Sequence, residues 1–391
     1  MPDRAGMTSR ERLLTALAGG VPDRLPATTH HLMPAFLASH LGGASAQQFF
    51  DRFGLDAVTW TVPHRPDPSK SEYLDPLQGE PGFLESRRVA ADHWRIFPED
   101  VSRAGRKLTR YRFVTPGGEL TTVLEDAGYT VWVVEPLVKK KADIDLIGAW
   151  VTAPKCDVEA VTSVADAFGE RGIVRGHVCC FDVFGQPGCW QDACCLAGQQ
   201  NMIMAAMDDP AWAHEFLAIL QRRKLAFVES LAGARYDLLE LGGGDGCASV
   251  ISPGMFDRFV APYDAALIAA ARQAGQRIVY HLCGRLMPML DSALAMRPDA
   301  IETFTPSGMG GDADLARAKA KAAGRACMIG GFDQFHFFTR CSAALTRAEV
   351  RRCFREAGAG GGYILSPSDH FFEAELPLIE TFASEAAACI Y

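Results

Sequence analysis

Two spacings of apolar residues alternate along this chain. Short β-type runs bounded by Gly, Pro or polar residues occur at 25–28, 57–60, 173–178, 237–242, 277–283, 300–304, 327–330 and 362–366. Stretches with helical spacing and recognisable ends lie between them. Thr8-Ser-Arg-Glu11 forms a capping box ahead of Leu13, Leu14 and Leu17. Ser252-Pro253 places an N-cap before a first-turn proline and opens a helix carrying Phe256, Phe259 and Val260. Thr346-Arg-Ala-Glu349 reads as a second capping box, with the helix ending at the glycines from Gly358 to Gly362. Eight such runs separated by helices predict an α/β fold, a (β/α)8 TIM barrel.

One stretch breaks the alternation. Residues 93–138 hold Tyr111-Arg-Phe-Val, the turn Thr115-Pro-Gly-Gly118, Leu120-Thr-Thr-Val and Tyr129-Thr-Val-Trp-Val-Val, which are β-rich segments joined by turns. They predict an antiparallel β insertion in the N-terminal third, between the second and third barrel strands. With no internal repeat and no low-complexity linker, residues 1–391 are expected to form a single barrel domain.

Composition narrows the class of partner. Hydrophobic residues make up 48% and charged residues 22%, the balance of a protein with a large core. A formal net charge of -8 argues against nucleic acid, and the longest basic run, Lys139 to Lys141, is too short to seek an anionic membrane. No apolar stretch is long enough to span a bilayer, and the opening residues MPDRAGMTSRERLL lack the apolar core of a secretory leader. The 12 cysteines therefore read as reduced thiols, and a cytoplasmic location is expected.

The strongest chemical signal is Ile278-Val-Tyr-His281-Leu-Cys283-Gly284. An apolar run ends in His-x-Cys-Gly, so imidazole and thiol share one face of a strand end, and Gly284 frees the turn. That pair suits Zn2+, whose catalytic sites use three protein ligands and one open position, and barrel active sites gather at strand C-termini. A third ligand should come from another strand end: Glu302, or Asp369 or His370 after the last run. Cys327 lies at the start of its strand, on the wrong face. Leu241-Gly-Gly-Gly-Asp245-Gly246 lacks the spacing of a phosphate loop, and reads instead as a strand end that lets substrate approach, with Asp245 pointing into the mouth. Cysteines 179, 180, 189, 194 and 195 lack the spacing of paired zinc knuckles.

At these residues the chain resembles the uroporphyrinogen decarboxylase superfamily, in its branch of corrinoid-linked methyltransferases. The resemblance runs over nearly the whole chain. Thr8-Ser-Arg-Glu-Arg-Leu-Leu-Thr-Ala-Leu17 with Pro22-Asp-Arg-Leu-Pro26 is similar to the family's opening. Thr115-Pro-Gly-Gly-Glu-Leu120 and Trp132-Val-Val-Glu-Pro-Leu-Val-Lys139 are similar to its insertion. The segment Ile251 to Tyr263 resembles the stretch after the fourth strand, and Gly361-Gly-Tyr-Ile-Leu-Ser-Pro367 the last strand. His281-x-Cys283-Gly284 matches the zinc motif of methylcobalamin:coenzyme M methyltransferases. In two places the chain departs from the pattern. Asp369, with His370 beside it, stands where the methyltransferases place a cysteine ligand, and the decarboxylases' arginine-rich N-terminal motif has no convincing counterpart.

The resemblance implies zinc held by His281, Cys283 and Asp369, and a methyl group passed between cobalamin on a partner corrinoid protein and a small oxygen or sulfur substrate. Asp245, Glu302 and His370 would orient that substrate or move a proton. A His/Cys/Asp set is harder than His/Cys/Cys and should favour oxygen over sulfur. Two rivals are a metal-free decarboxylase or lyase of the same superfamily, and a corrinoid-binding protein without turnover.

Overall fold

Each of the eight apolar runs becomes an extended segment, and parallel pairing joins them in chain order. In the computed structural model, which describes residues 6–391, seven strands form one parallel sheet: Ala57–Trp60, Gly172–His177, Leu238–Gly242, Ile278–His281, Ala300–Thr303, Cys327–Phe332 and Tyr363–Pro367. The first five residues, part of the stretch read as lacking a leader's apolar core, lie outside the described residues.

The first run, 25–28, closes the ring. Ala27 bridges Leu365 in parallel, Thr28 N–H donates to Leu365 O at 3.0 Å, and Asp56 N–H donates to Ala27 O at 2.7 Å. Bonded to the last strand on one side and to the approach of the next strand on the other, this short proline-containing segment leaves the sheet no free edge. The result is an eight-membered parallel barrel wrapped by helices.

Strand pleating sorts the side chains. Leu239, Leu241, Tyr280 and Ile301 face the helices, while Arg175, His177, Glu240, His281 and Glu302 alternate onto the barrel interior near the strand C-termini. That parity puts the charged residues of four strands into one space.

Helix starts follow the capping chemistry, with one shift. The Thr8–Glu11 capping box is formed at the head of Ser9–Leu17. Ser252 caps Pro253–Met255, whose continuation widens into a π turn at Phe256–Val260 before Ala261–Gln273. Pro262 has no N–H to return to the preceding turn, which accounts for the widening. The helix expected to open at Thr346 begins earlier, as Ala343–Cys353. Its cap is Ser342, whose side chain accepts from Leu345 N–H, and Thr346 turns inward to donate to Ser342 O and Phe337 O.

The antiparallel excursion is a four-stranded meander, Arg95–Asp100, Lys107–Thr115, Gly118–Asp126 and Val131–Glu135. Its second hairpin turns at Thr115–Gly118, as the Pro-Gly-Gly sequence requires. Trp94 ties it to the barrel, donating from Nε1 to buried Asp182 at 3.0 Å; Asp182 is also paired with Arg223 at 2.8 Å. Among the described residues no helix is long and apolar enough to cross a membrane.

Candidate metal centre at the barrel mouth

The C-terminal end of the barrel opens into a cavity of about 600 Å³, floored by strand ends and walled in part by the antiparallel sheet through Tyr111, Leu124 and Val131. Another part of the wall, the segment 179–186, is held by two adjacent cations. Arg223 donates to Cys180 O at 2.7 Å, and Lys224 donates to Cys179 O and Gln186 O at 2.8 Å each while pairing with Asp192. The site wall is thus pinned by buried, fully partnered charges.

On the cavity floor, His281, Cys283 and Asp369 each offer one donor atom, and the three atoms lie within 4.8 Å of one another. Around a zinc ion with bonds of about 2.0–2.3 Å such atoms stand roughly 3.3–3.8 Å apart, so small side-chain adjustments complete the set. Nitrogen, sulfur and carboxylate oxygen are the donors zinc takes. The trio, which lines the cavity, therefore fits a three-ligand zinc site. Cys283 reaches it because Gly244 stands opposite, where a Cβ would come within 2.6 Å of the sulfur. Gly284 has φ 94°, the left-handed turn its place after the motif demands.

A second group lies directly beneath. His30, Glu240, His281 and Glu302, all buried, also bring donor atoms within 4.8 Å of one another. Glu302 Oε1 faces His281 Nδ1 at 3.3 Å and His30 Nδ1 at 3.7 Å. Arg175 donates to both Glu302 oxygens at 2.9 and 3.1 Å, and its guanidinium stacks 4.5 Å from the Trp60 ring centroid. Because Nδ1 of His281 is engaged, Nε2 is the nitrogen free for an ion.

Electrostatics divide these groups. Burial alone would lower the His281 imidazole, but Glu240, Cys283 and Glu302 together raise it well above its ordinary range. Burial pushes His30 down to about 3, and His31 also falls well below its usual value. Burial works to raise Glu302, yet Arg175, His30 and His281 outweigh it and hold that carboxyl well below the usual range. Glu240 is pushed up, first by burial and then by the neighbouring Glu302 charge. Asp369 is lowered: burial opposes this, but hydrogen bonding and charge from His370 prevail.

The remaining sequence-derived residues separate clearly. His370 is half-exposed, and its Nδ1 lies 2.9 Å from Asp369 Oδ1. It backs the Asp369 carboxylate, and its own nitrogens are outside both clusters. Asp245 lines the cavity, but Gln191 Nε2 donates to it at 2.9 Å and Gln199 Nε2 donates to its other oxygen. Instead of pointing free into the mouth, it is held in the wall by amides from a preceding helical region. Gly244, just before it, makes room for the Cys283 sulfur. Glu302 is fully buried in the barrel and belongs to the second group, outside the trio. Cys327 and the cysteines at 179, 180, 189, 194 and 195 belong to neither cluster.

His30, His31, Arg175, His177 and Glu240 escaped the sequence reading, although each carried a signal. Thr28-Thr-His-His31 runs straight off the end of the first strand, and Arg175, His177 and Glu240 interrupt apolar strands at alternate positions. Among the described residues, six of the eight buried side-chain polar atoms lacking a partner belong to Thr28, Thr29, His31, Trp60, His64 and Arg175. Unsatisfied polarity is concentrated at this end of the barrel.

A sequence model of the family described as uroporphyrinogen decarboxylase (URO-D) matches residues 120–372. A methyltransferase from Methanosarcina mazei superposes with a TM-score of 0.59, covering 97% of this chain and 98% of its own at 14% identity, a likeness of fold. A 3-keto-D-glucoside 4-epimerase from E. coli gives a TM-score of 0.37, with 10% identity over 59% of this chain and 86% of that one. A D-psicose 3-epimerase gives 0.35, with 12% identity over 63% and 85%. No curated protein matches the sequence.

Proposed function

The chain belongs to the uroporphyrinogen decarboxylase family, and within it we propose that this protein is a zinc-dependent methyltransferase. It moves a methyl group between a corrinoid, carried by a partner protein, and a small oxygen or sulfur substrate. The observation that carries the reading is the convergence of His281, Cys283 and Asp369 donor atoms within 4.8 Å at the floor of an open cavity. When bound there, zinc would act as a Lewis acid that makes a substrate thiol or hydroxyl nucleophilic at neutral pH, or polarises a methylated substrate.

The chain's own residues have distinct tasks. Cys283 and His281 supply most of the affinity, since thiolate and imidazole are the stronger ligands. Asp369 completes the set, with His370 fixing its carboxylate from behind. Asp245, held by Gln191 and Gln199, shapes the wall that positions the substrate. Glu302 orients the His281 ring through Nδ1, the carboxylate–histidine arrangement that fixes a zinc-bound imidazole. The corrinoid is assigned to the partner and approaches from the mouth.

The decarboxylase alternative needs cations free to grip substrate carboxylates. The nearby guanidiniums are mated: Arg175 to Glu302, and Arg88 to Asp75 at 2.8 Å. That supports methyl transfer over porphyrin decarboxylation.

Elemental analysis of purified protein, paired with methyl transfer from methylcobalamin to small thiols and alcohols, tests the proposal. About one zinc per chain is expected. Asp369→Cys should retain the metal and shift preference toward thiols, whereas Asp369→Ala should weaken zinc and abolish transfer. Active wild-type protein without a transition metal would refute the reading.

A further inference from the structure

The four residues beneath the trio have the composition of an ion site in their own right. Arg175 is hydrogen-bonded to both of its carboxylates. Its Nη2 lies 2.9 Å from Glu302 Oε1 and 3.4 Å from Glu240 Oε2, and its Nη1 lies 3.1 Å from Glu302 Oε2. A guanidinium keeps its positive charge at any physiological pH, so it excludes a second cation from the group. Its fork engages both oxygens of Glu302, and Oε1 also faces His281 Nδ1. Trp60 stacks on the guanidinium from the other side, and side-chain exposures of 4% for Arg175 and 2% for Glu302 leave water no part in the pairing.

We propose that Arg175 is a positioning residue that clamps Glu302 behind His281, so that this carboxylate orients the imidazole and stays off the fourth coordination position. The inference rests on the reading of His281, Cys283 and Asp369 as ligands. The reason is geometric and electrostatic. Glu302 is a buried anion one imidazole away from the ion. Released from its cation, it would gain most by turning onto the metal, where it would occupy the place a substrate must take. A lysine supplies charge without the fork and cannot hold both oxygens.

Full-length protein loaded with zinc or cobalt(II) tests this with two readouts independent of turnover: zinc affinity by chelator competition and the visible absorption of cobalt(II). Glu302→Gln should still bind one zinc, with affinity about 10- to 100-fold lower, the usual cost of losing a partner behind a ligand. Arg175→Lys should change the cobalt(II) bands as Glu302 joins the ion, and adding Glu302→Gln to it should restore the wild-type spectrum. Should Arg175→Lys fail to fold, the charge-neutral pair Arg175→Leu with Glu302→Leu keeps the barrel soluble and should still bind zinc, more weakly. The clamp is overturned if Glu302→Gln loses zinc as completely as Cys283→Ala, which would make Glu302 a ligand. It is equally overturned if Arg175→Lys leaves affinity and spectrum unchanged in a wild-type background that binds zinc. A wild-type protein that binds neither ion overturns the methyltransferase reading itself.

Discussion

The two ends of the barrel both bury arginines and carboxylates, and they use them differently. At the N-terminal end, Arg12 pairs with Asp23 at 2.7 Å and Asp56 at 2.6 Å, Arg24 adds to Asp56, and Arg10 grips Asp237 through two bonds of 2.6 and 2.7 Å. The same carboxylates accept backbone N–H groups at strand starts, Asp56 from Ala27 and Asp237 from Val174. Lone pairs and protons are matched there, so the network locks strand starts together. At the C-terminal end one arginine faces two carboxylates, three histidines crowd around them, and several polar atoms have no partner. A structural network spends its charges on itself, whereas a functional one leaves donors over.

If that contrast is right, mutations at the two ends should separate stability from metal binding. The largest effect is expected from Arg12→Met. It takes the closer guanidinium from fully buried Asp56, which keeps Arg24 and the Ala27 N–H, and leaves Asp23 without its pair. It should cost about 2–3 kcal/mol in denaturant unfolding, while the folded fraction keeps its metal affinity. Cys283→Ala should do the reverse. Zinc affinity should fall at least about a hundredfold by chelator competition, with the apo protein's unfolding midpoint nearly unchanged. Next comes the adjacent pair after the last strand. Asp369→Ala removes a ligand and should cost about a hundredfold in zinc affinity, whereas His370→Ala removes only the group behind it and should cost about tenfold, because Asp369 belongs to the trio and His370 does not. Equal retention in both would place the third ligand elsewhere.

The smallest effect is in acid. Hydrogen bonds from Arg12 hold the Asp23 carboxyl below its ordinary range, so its contribution is fully present above an unfolded pKa of about 3.9 and is lost as pH falls through the lower folded value. The difference in Tm between wild type and Asp23→Asn should therefore shrink as pH drops below about 4. A gap that stays constant from pH 6 to pH 3 would contradict it.

The barrel was legible because its strands are apolar runs with abrupt ends; even 25–28, which holds Pro26, was visible by that rule. His281-x-Cys283 stood out because ligand-type residues closed such a run. What the pattern hid was parity and partnership. Arg175 and Glu240 are single charges inside apolar strands, and only the closed ring shows that alternate positions on neighbouring strands face one another. The mates of Asp245, Gln191 and Gln199, lie some fifty residues earlier on a separate helical region, so no local pattern could reveal that it was taken. Ser342 and Thr346 both lead plausible caps, and tertiary bonds of Thr346 to Phe337 O decided between them.

The closure of the ring by 25–28 against the last strand has a temporal consequence. His30 follows the first of these segments and Asp369 follows the last, so the pocket exists only after these two distant segments have met. Such distant pairings are paid for late in folding, once loop-closure entropy has been overcome. A nascent chain still lacking its last strand would own His281 and Cys283 yet no finished pocket. On the reading proposed above, an ion that needs Asp369 as well as His281 and Cys283 would bind only after that closure.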